Sequence, residues 1–325
     1  MPAILQRARP GQQLDGIRVG IVNNMPDKAL LSTARQFLSV LDAASPEFRV
    51  YVSLFSVSAV PRGDAGRRHL ADNSYQDMPQ LMAADLDAVI VSGTEPRAAD
   101  LRDEPYWPQL SGLFDWILRD GPPAAFSCLA AHAAVLHYDG IARRPLGAKR
   151  FGLFEHGKCA HDPLTARLPQ SFKVAHSRWN ELSPEALGEK GYRILTEAPE
   201  AGVELFVREG RNRLLFFQGH PEYDARSLGR EYHRDVKRFL NGEREDYPDV
   251  PRHYFNATEK ELLDRFRRRA LRERHPSLID HYPRLPDRLA TGGSVAGAIY
   301  GAWLGPIAAA HKDAAPRFAG ARHGA

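Results

Sequence analysis

Cysteine is nearly absent, with only Cys128 and Cys159 in 325 residues. So sparse a supply excludes a disulfide framework and a cysteine-rich zinc site, and it fits a reducing, cytoplasmic setting. No apolar run reaches the ~18 residues that a membrane span needs. The start, MPAILQRARPGQQLDG, has neither the charged lead nor the long apolar core of a secretory signal. Charge of one sign is lacking too: 44 basic against 40 acidic residues leave a net +4. That excess is too small to imply nucleic acid, though it suits acidic small molecules. Neither G-x-G-x-x-G nor G-x-x-x-x-G-K-[ST] occurs, which argues against a dinucleotide or P-loop site. H-E-x-x-H is missing, and His132 and His137 are spaced wrongly for one helix face. FEHGKCAHD crowds His156, Cys159 and His161 into a few residues with no second half, and reads as ordinary loop. No metal is expected. There is no internal repeat.

What is present is alternation. IRVGIV (Ile17–Val22), RVYVSLFSV (Arg49–Val57), LDAVIVSG (Leu86–Gly93) and AAFSC are strand-like. Between them, DKALLSTARQFLSVLDAAS and YWPQLSGLFDWILRDG have helical spacing, and LAAHAAVLHYDG follows as a helix. PRGDAGRRHLADNSYQD reads as a long polar connection. This rhythm predicts an α/β fold with a mostly parallel sheet covered by helices on both faces. Beyond about residue 150, SFKVAHSRWNEL, YRILTE, VELFVREG and NRLLFFQGH add strands, the last two as a hairpin. EYDARSLGREYHRDVKRFLNG is helical again. TEKELLDRFRRRALRER is a basic amphipathic helix, read as a solvated face because acidic residues precede the arginines. SVAGAIYGAWLGPIAAAH is a last helix packing on the body. The expected organisation is an N-terminal arm (1–16), an α/β domain (17–246) and a helical extension (247–325) on the same domain.

Cys128 falls where a short apolar strand turns into a helix. A buried bystander is the plain reading, since free cysteine is among the most buried residue types. The sharper one is a nucleophile on a tight elbow, its sulfur at the carboxyl edge of a sheet and near a helix N-terminus that favours thiolate. Such a nucleophile needs a base and a group to orient that base. QGHPEYD supplies both: His220 follows an apolar strand, Glu222 lies two residues on, and Pro221 restricts the loop. Cys159 lacks this setting.

IVNNMPDKALLSTARQFL, VIVSGTEP, FSCLAAHAAVLHYDGI, FGLFEH, AHSRWNEL and QGHPEYDARSLGREYHRDV occur in that order. Together they resemble the homoserine O-succinyltransferases of methionine biosynthesis, whose fold is similar to class I glutamine amidotransferases. The resemblance runs from about Ile17 to about Ala310. It implies that Cys128 accepts the acyl group, His220 is the general base and Glu222 orients it. Lys28 and the backbone N–H of Leu129 would stabilise the oxyanion. Arg234 would bind the amino-acid carboxylate, with Ser177 and Arg178 lining the acceptor pocket. Gly93, Thr94 and Arg97 fall on the strand-end block beside the acyl group, Arg97 at the position that selects acyl size.

Acyl-CoA is then a substrate, succinyl-CoA ahead of acetyl-CoA, with no bound cofactor. L-homoserine or L-serine is the acceptor, and a homodimer is a candidate assembly. The departures sit around the pockets: Leu129 for tryptophan, His132 for glutamine, Arg97 for glycine or glutamate, and no C-terminal Trp-Arg-Ser-His block. A glutamine amidotransferase stays open as an alternative, although Ala130 and His132 stand where glycine and glutamine are expected. So does a degenerate metabolite-binding relative.

Overall fold

A computed structural model describes residues 4–5, 16–45, 48–286 and 293–314. The first half runs β1 (Ile4–Leu5), β2 (Gly16–Val22), α1 (Leu30–Ala44), β3 (Arg49–Phe55), α2 (Asp64–Asp72), α3 (Met78–Ala83), β4 (Ala88–Val91), α4 (Trp107–Arg119), β5 (Ala124–Ser127) and α5 (Leu129–Asp139). Then come β6 (Arg144–Lys158), β7 (Ser171–Glu181), α6 (Pro184–Glu189), β8 (Arg193–Ile194), β9 (Thr196–Ala198), β10 (Gly202–Val203), β11 (Leu205–Arg208) and β12 (Leu214–Phe217). Helices α7 (Ser227–Leu240), α8 (Ala257–Glu273) and α9 (Gly293–Ala314) follow.

The main sheet has the order β1-β3-β2-β4-β5-β12-β11-β8. Its pairs from β1 through β12 are parallel, and β12–β11 and β11–β8 are antiparallel. The apolar runs have a direct cause. Successive strand residues point to opposite faces, so a sheet covered on both sides needs every position apolar. Val89, Val91, Phe126 and Phe216 enter one core with Leu113, Phe114 and Val135 of α4 and α5. Ala88, Ile90, Ala125, Leu215 and Phe217 enter the other, with Phe37 and Leu41 of α1 and Ile299, Tyr300 and Trp303 of α9. Helix α9 does pack on the body. Added Cβ atoms on its Gly297 and Gly301 would meet Ala43 Cβ and the Ala44 carbonyl at 2.9 Å, so only glycine permits this approach to α1. No helix among the described residues is long and apolar enough to cross a membrane.

The second half departs from simple strand counting. YRILTE and VELFV each divide between two sheets, β8 and β11 joining the main sheet while β9 and β10 join a smaller one of order β10-β9-β6-β7. The crossing points are Leu195 and Glu204, both buried. Leu195 N donates to Leu205 O and Glu204 N to Thr196 O, both at 2.9 Å, so the backbone stays paired as it changes sheet. FEHGKCAHD is not a loop throughout: its first residues lie in β6, where His156 is fully buried. The polar connection PRGDAGRRHLADNSYQD contains α2. That helix is polar nearly all round and buries only Gly66, so it has no apolar period to read. The Asp27 carboxylate anchors its start, accepting from Gly63 N at 2.8 Å. A third core unites α7 and α8 through Tyr232, Val236, Phe239, Leu263 and Phe266. The arginines of α8 face solvent, Arg269 pairing with Glu273 rather than with the acidic residues ahead.

Candidate active site

Strands β5 and β12 are parallel neighbours with Ser127 opposite Phe217. Their next residues therefore leave the sheet side by side at its carboxyl edge, where α/β proteins place ligands. Cys128 leaves β5 with φ 52° and ψ −112°, a strained backbone for a residue with a Cβ. Its amide is pinned to Phe217 O at 2.7 Å. Leu129 begins α5, so its N–H is among the first-turn donors that have no partner within the helix. Gly93, after β4, comes so close that a Cβ there would lie 3.1 Å from Leu129 N. Any side chain at Gly93 would crowd this donor.

His220 enters from β12. Its amide donates to Ala175 O at 2.7 Å, and its Nδ1 donates to Glu222 Oε1 at 2.8 Å. Ser127 Oγ donates to the same carboxylate oxygen at 3.1 Å. Tyr223 stacks on the imidazole at 4.2 Å between ring centroids. With Nδ1 engaged, Nε2 is left for the thiol, and Cys128 lies within hydrogen-bonding reach of the imidazole. Burial opposes charge on His220, yet the charges and hydrogen bonds of Cys128 and Glu222 hold its pKa well above the usual imidazole range. Cys128, His220 and Glu222 are thus brought together at the edge of the sheet.

A cleft of about 910 Å³ opens over Cys128, and Lys28, Gly93, Thr94, Arg97, Ser177, Arg178 and Arg234 all line it. The two polar residues of AHSRW differ in kind. Ser177 Oγ donates into the cleft wall, to Glu231 Oε2 at 2.5 Å. Arg178 is buried, its guanidinium donating to Asn180 O, Ala201 O and His176 Nδ1, so it is a fixed wall. Arg97 is exposed at the rim, and its amide and that of Ala98 donate to Glu104. Arg102 pairs with Asp100 away from the cleft. Arg234 donates through Nε to Asp235 at 3.0 Å and keeps 41% of its side chain exposed.

Sequence reasoning missed Glu231, Lys149, Ser127 and Tyr223. Glu231 is the consequential one. Burial works against its charge, but Lys149, Ser177, Tyr223 and Arg234 hold its carboxyl below the usual range. Helix periodicity was the available signal. Leu228, Tyr232, Val236 and Phe239 of α7 face the core, whereas Glu231, Arg234 and Arg238 all reach the cleft.

Behind His220 lies a second buried polar group. His156 Nδ1 donates to Phe154 O at 2.9 Å, so its Nε2 accepts from His176 Nε2 at 3.1 Å. Glu204 Oε2 accepts from Gly219 N at 2.6 Å, while Oε1 has no partner among the described residues. Burial raises the Glu204 pKa to about 8. The ligand atoms of His156, His176 and Glu204 lie within 4.8 Å of one another, the spacing of a metal-binding set. The imidazole–imidazole hydrogen bond and the Arg178 guanidinium beside it account for both histidines without a cation. His132 is also neutral: burial lowers its pKa to about 3, and its Nε2 donates to Gln218 Oε1 at 3.1 Å. Cys159 is exposed and outside the cleft.

The family model for homoserine O-succinyltransferase matches residues 3–272. The homoserine O-succinyltransferase of Rhodopseudomonas palustris is 47% identical over 291 residues, covering 89% of this chain and 87% of that protein. The one of Bradyrhizobium japonicum is 44% identical over 296 residues, covering 90% of each. A glutamine amidotransferase structure from Methylobacillus flagellatus has a TM-score of 0.52 at 15% identity, covering 90% of this chain and 95% of that one. That likeness concerns the fold alone. The chain belongs to the homoserine O-succinyltransferase family.

Proposed function

We propose that this member of the homoserine O-succinyltransferase family transfers an acyl group from acyl-CoA to the hydroxyl of L-homoserine, through an acyl-enzyme on Cys128. The observation that carries the reading is Cys128 on a strained elbow, facing an imidazole that Glu222 orients, at the floor of a cleft of about 910 Å³. The Cys128 thiol passes its proton to His220 and the sulfur attacks the thioester carbonyl; the tetrahedral intermediate collapses, and CoA leaves as its thiol after taking that proton from His220. The homoserine hydroxyl then loses its proton to His220 and attacks the acyl-cysteine, and the proton returns to sulfur as the ester departs. Both intermediates put negative charge on one oxygen. The Leu129 N–H and the Lys28 ammonium, both lining the cleft, are its donors.

The wall built by α7 suits an amino acid rather than a simple alcohol. Arg234 offers a guanidinium for the α-carboxylate. Glu231, ionised and held by Ser177 and Tyr223, offers an anion for the α-ammonium. Three positions separate them on one helix, and Arg234 Nη2 stands 3.9 Å from Glu231 Oε2, so the two charges sit side by side on the wall. L-Serine carries the same pair of charges on a shorter chain and is the second acceptor to try. Succinyl-CoA is the proposed donor, ahead of acetyl-CoA.

Release of free CoA from succinyl-CoA or acetyl-CoA, followed with a thiol reagent, tests the reading. Release that requires homoserine or serine supports it. Ammonia release from glutamine, with no CoA release, would overturn it in favour of amidotransferase chemistry.

A further inference from the structure

Arg143 is a cleft cation without a role in the chemistry above. Arg143 follows α5, whose end is set by a left-handed Gly140 at φ 69°. Gly140 N donates to Leu136 O at 3.1 Å and Ile141 N to Val135 O at 3.3 Å, closing the helix. Ile141 is then buried in the α4–α5 core. The chain is thereby turned back toward the site two residues before Arg143. Arg143 is half-buried and lines the cleft together with Cys128, Leu129, His132 and Ala98.

Its guanidinium is positioned but not neutralised. Nη2 donates to Ala99 O at 3.2 Å and Ala98 O at 3.4 Å, which braces one side of the fork. Among the described residues no carboxylate forms an ion pair with it. Glu104 nearby is taken up by the amides of Arg97 and Ala98. The adjacent Arg144 turns away, to Glu181. Burial lowers the Arg143 pKa, and the charges of Tyr106, Glu104, Asp100 and Cys128 oppose that. A half-buried guanidinium with free donors, open to a cleft and within electrostatic reach of the nucleophile, is a receptor for a planar anion.

We propose that Arg143 binds the terminal carboxylate of a dicarboxylic acyl group while its other end is joined to Cys128, and so selects succinyl over acetyl donors. The inference rests on the acyl-transfer reading and deepens it by naming the residue that reads the acyl group. It also moves that role from Arg97. Arg97 is exposed at the rim, where water competes for its donors, whereas Arg143 lies deeper and is already oriented.

The test compares wild type with Arg143→Gln, Arg143→Lys and Arg97→Gln, measuring kcat/KM for succinyl-CoA and acetyl-CoA in each. The succinyl-to-acetyl ratio is expected to fall about 10- to 100-fold in Arg143→Gln, the loss of a charged hydrogen-bond pair. Arg143→Lys should recover part of it, and Arg97→Gln should move the ratio far less. An unchanged ratio in Arg143→Gln, or a shift confined to Arg97→Gln, overturns the assignment. A second measurement needs neither a variant nor turnover. In wild type, succinate should protect Arg143 from phenylglyoxal, seen by peptide mass, while acetate at equal concentration should not. Arg143 labelled equally in both would overturn the inference. Wild type that releases no CoA from either donor would instead reject the acyl-transfer reading, with the labelling still deciding whether Arg143 binds the dicarboxylate.

Discussion

The Cys128 amide donates to the Phe217 carbonyl at 2.7 Å, joining the elbow after β5 to the strand that leads into His220. Because β5 and β12 are parallel and in register, the segments carrying Cys128 and His220 leave the sheet side by side. The pairing of two strands far apart in sequence thus brings Cys128 and His220 together.

Cys128→Ser and His220→Ala are each expected to abolish acyl transfer, while Cys159→Ser leaves it intact. Incubation with acyl-CoA alone should leave one acyl group on Cys128, visible by intact mass. A fully active Cys128→Ser protein would remove the acyl-enzyme from the mechanism.

Glu222 accepts from both His220 and Ser127, and in the proposed mechanism only the first bond orients the base. Glu222→Gln should lower kcat by about 100-fold or more, the scale of general-base catalysis. Ser127→Ala, which deletes one of the bonds, should cost about 1 kcal/mol or less. The charge of Glu222 also helps to hold the His220 pKa up. Its removal should move the titration profile of the His220 imidazole, followed by NMR, toward lower pH. A profile that stays in place would show that Glu222 does not set the state of His220.

On the α7 wall, Arg234→Ala and Glu231→Gln should raise the acceptor KM far more than they slow acyl-enzyme formation. For a charged hydrogen bond the loss is about 1.5–3 kcal/mol, and the exposure of Arg234 puts its value toward the lower end. 4-Hydroxybutyrate, which keeps the hydroxyl and the carboxylate but lacks the α-ammonium, should be insensitive to Glu231→Gln. Equal losses in both half-reactions would make these residues supports of the fold instead.

Glu204 predicts a stability effect with a definite sign. Burial raises its pKa from the ordinary 4.5 to about 8, so the folded state binds its proton more tightly than the unfolded one. Its contribution is complete below about pH 4.5 and is lost as pH rises through about 8. Glu204→Gln keeps an acceptor for Gly219 N and removes the titration. Denaturant melts across that range should show wild type losing stability relative to the variant, by at most about 1.4 kcal/mol per pH unit. Parallel pH dependences in the two proteins would refute the prediction.

By itself the sequence determined the parallel α/β core, because strands covered on both faces must be apolar at every position, as LDAVIVSG and RLLFFQG are. It also pointed to Cys128, His220 and Glu222, since an elbow and a strand end are local features with local residue signals. What it could not carry were the interactions between distant segments. Helix α2 has no apolar face and depends on Asp27 for its anchor. YRILTE changes sheet at Leu195 because Leu205 is there to receive its amide. Glu231 and Arg143 were ordinary charges on a helix and after one, until β6, β7 and the loop after β4 closed around them. Their chemistry comes from desolvation and from neighbours far along the chain, and only tertiary structure supplies those.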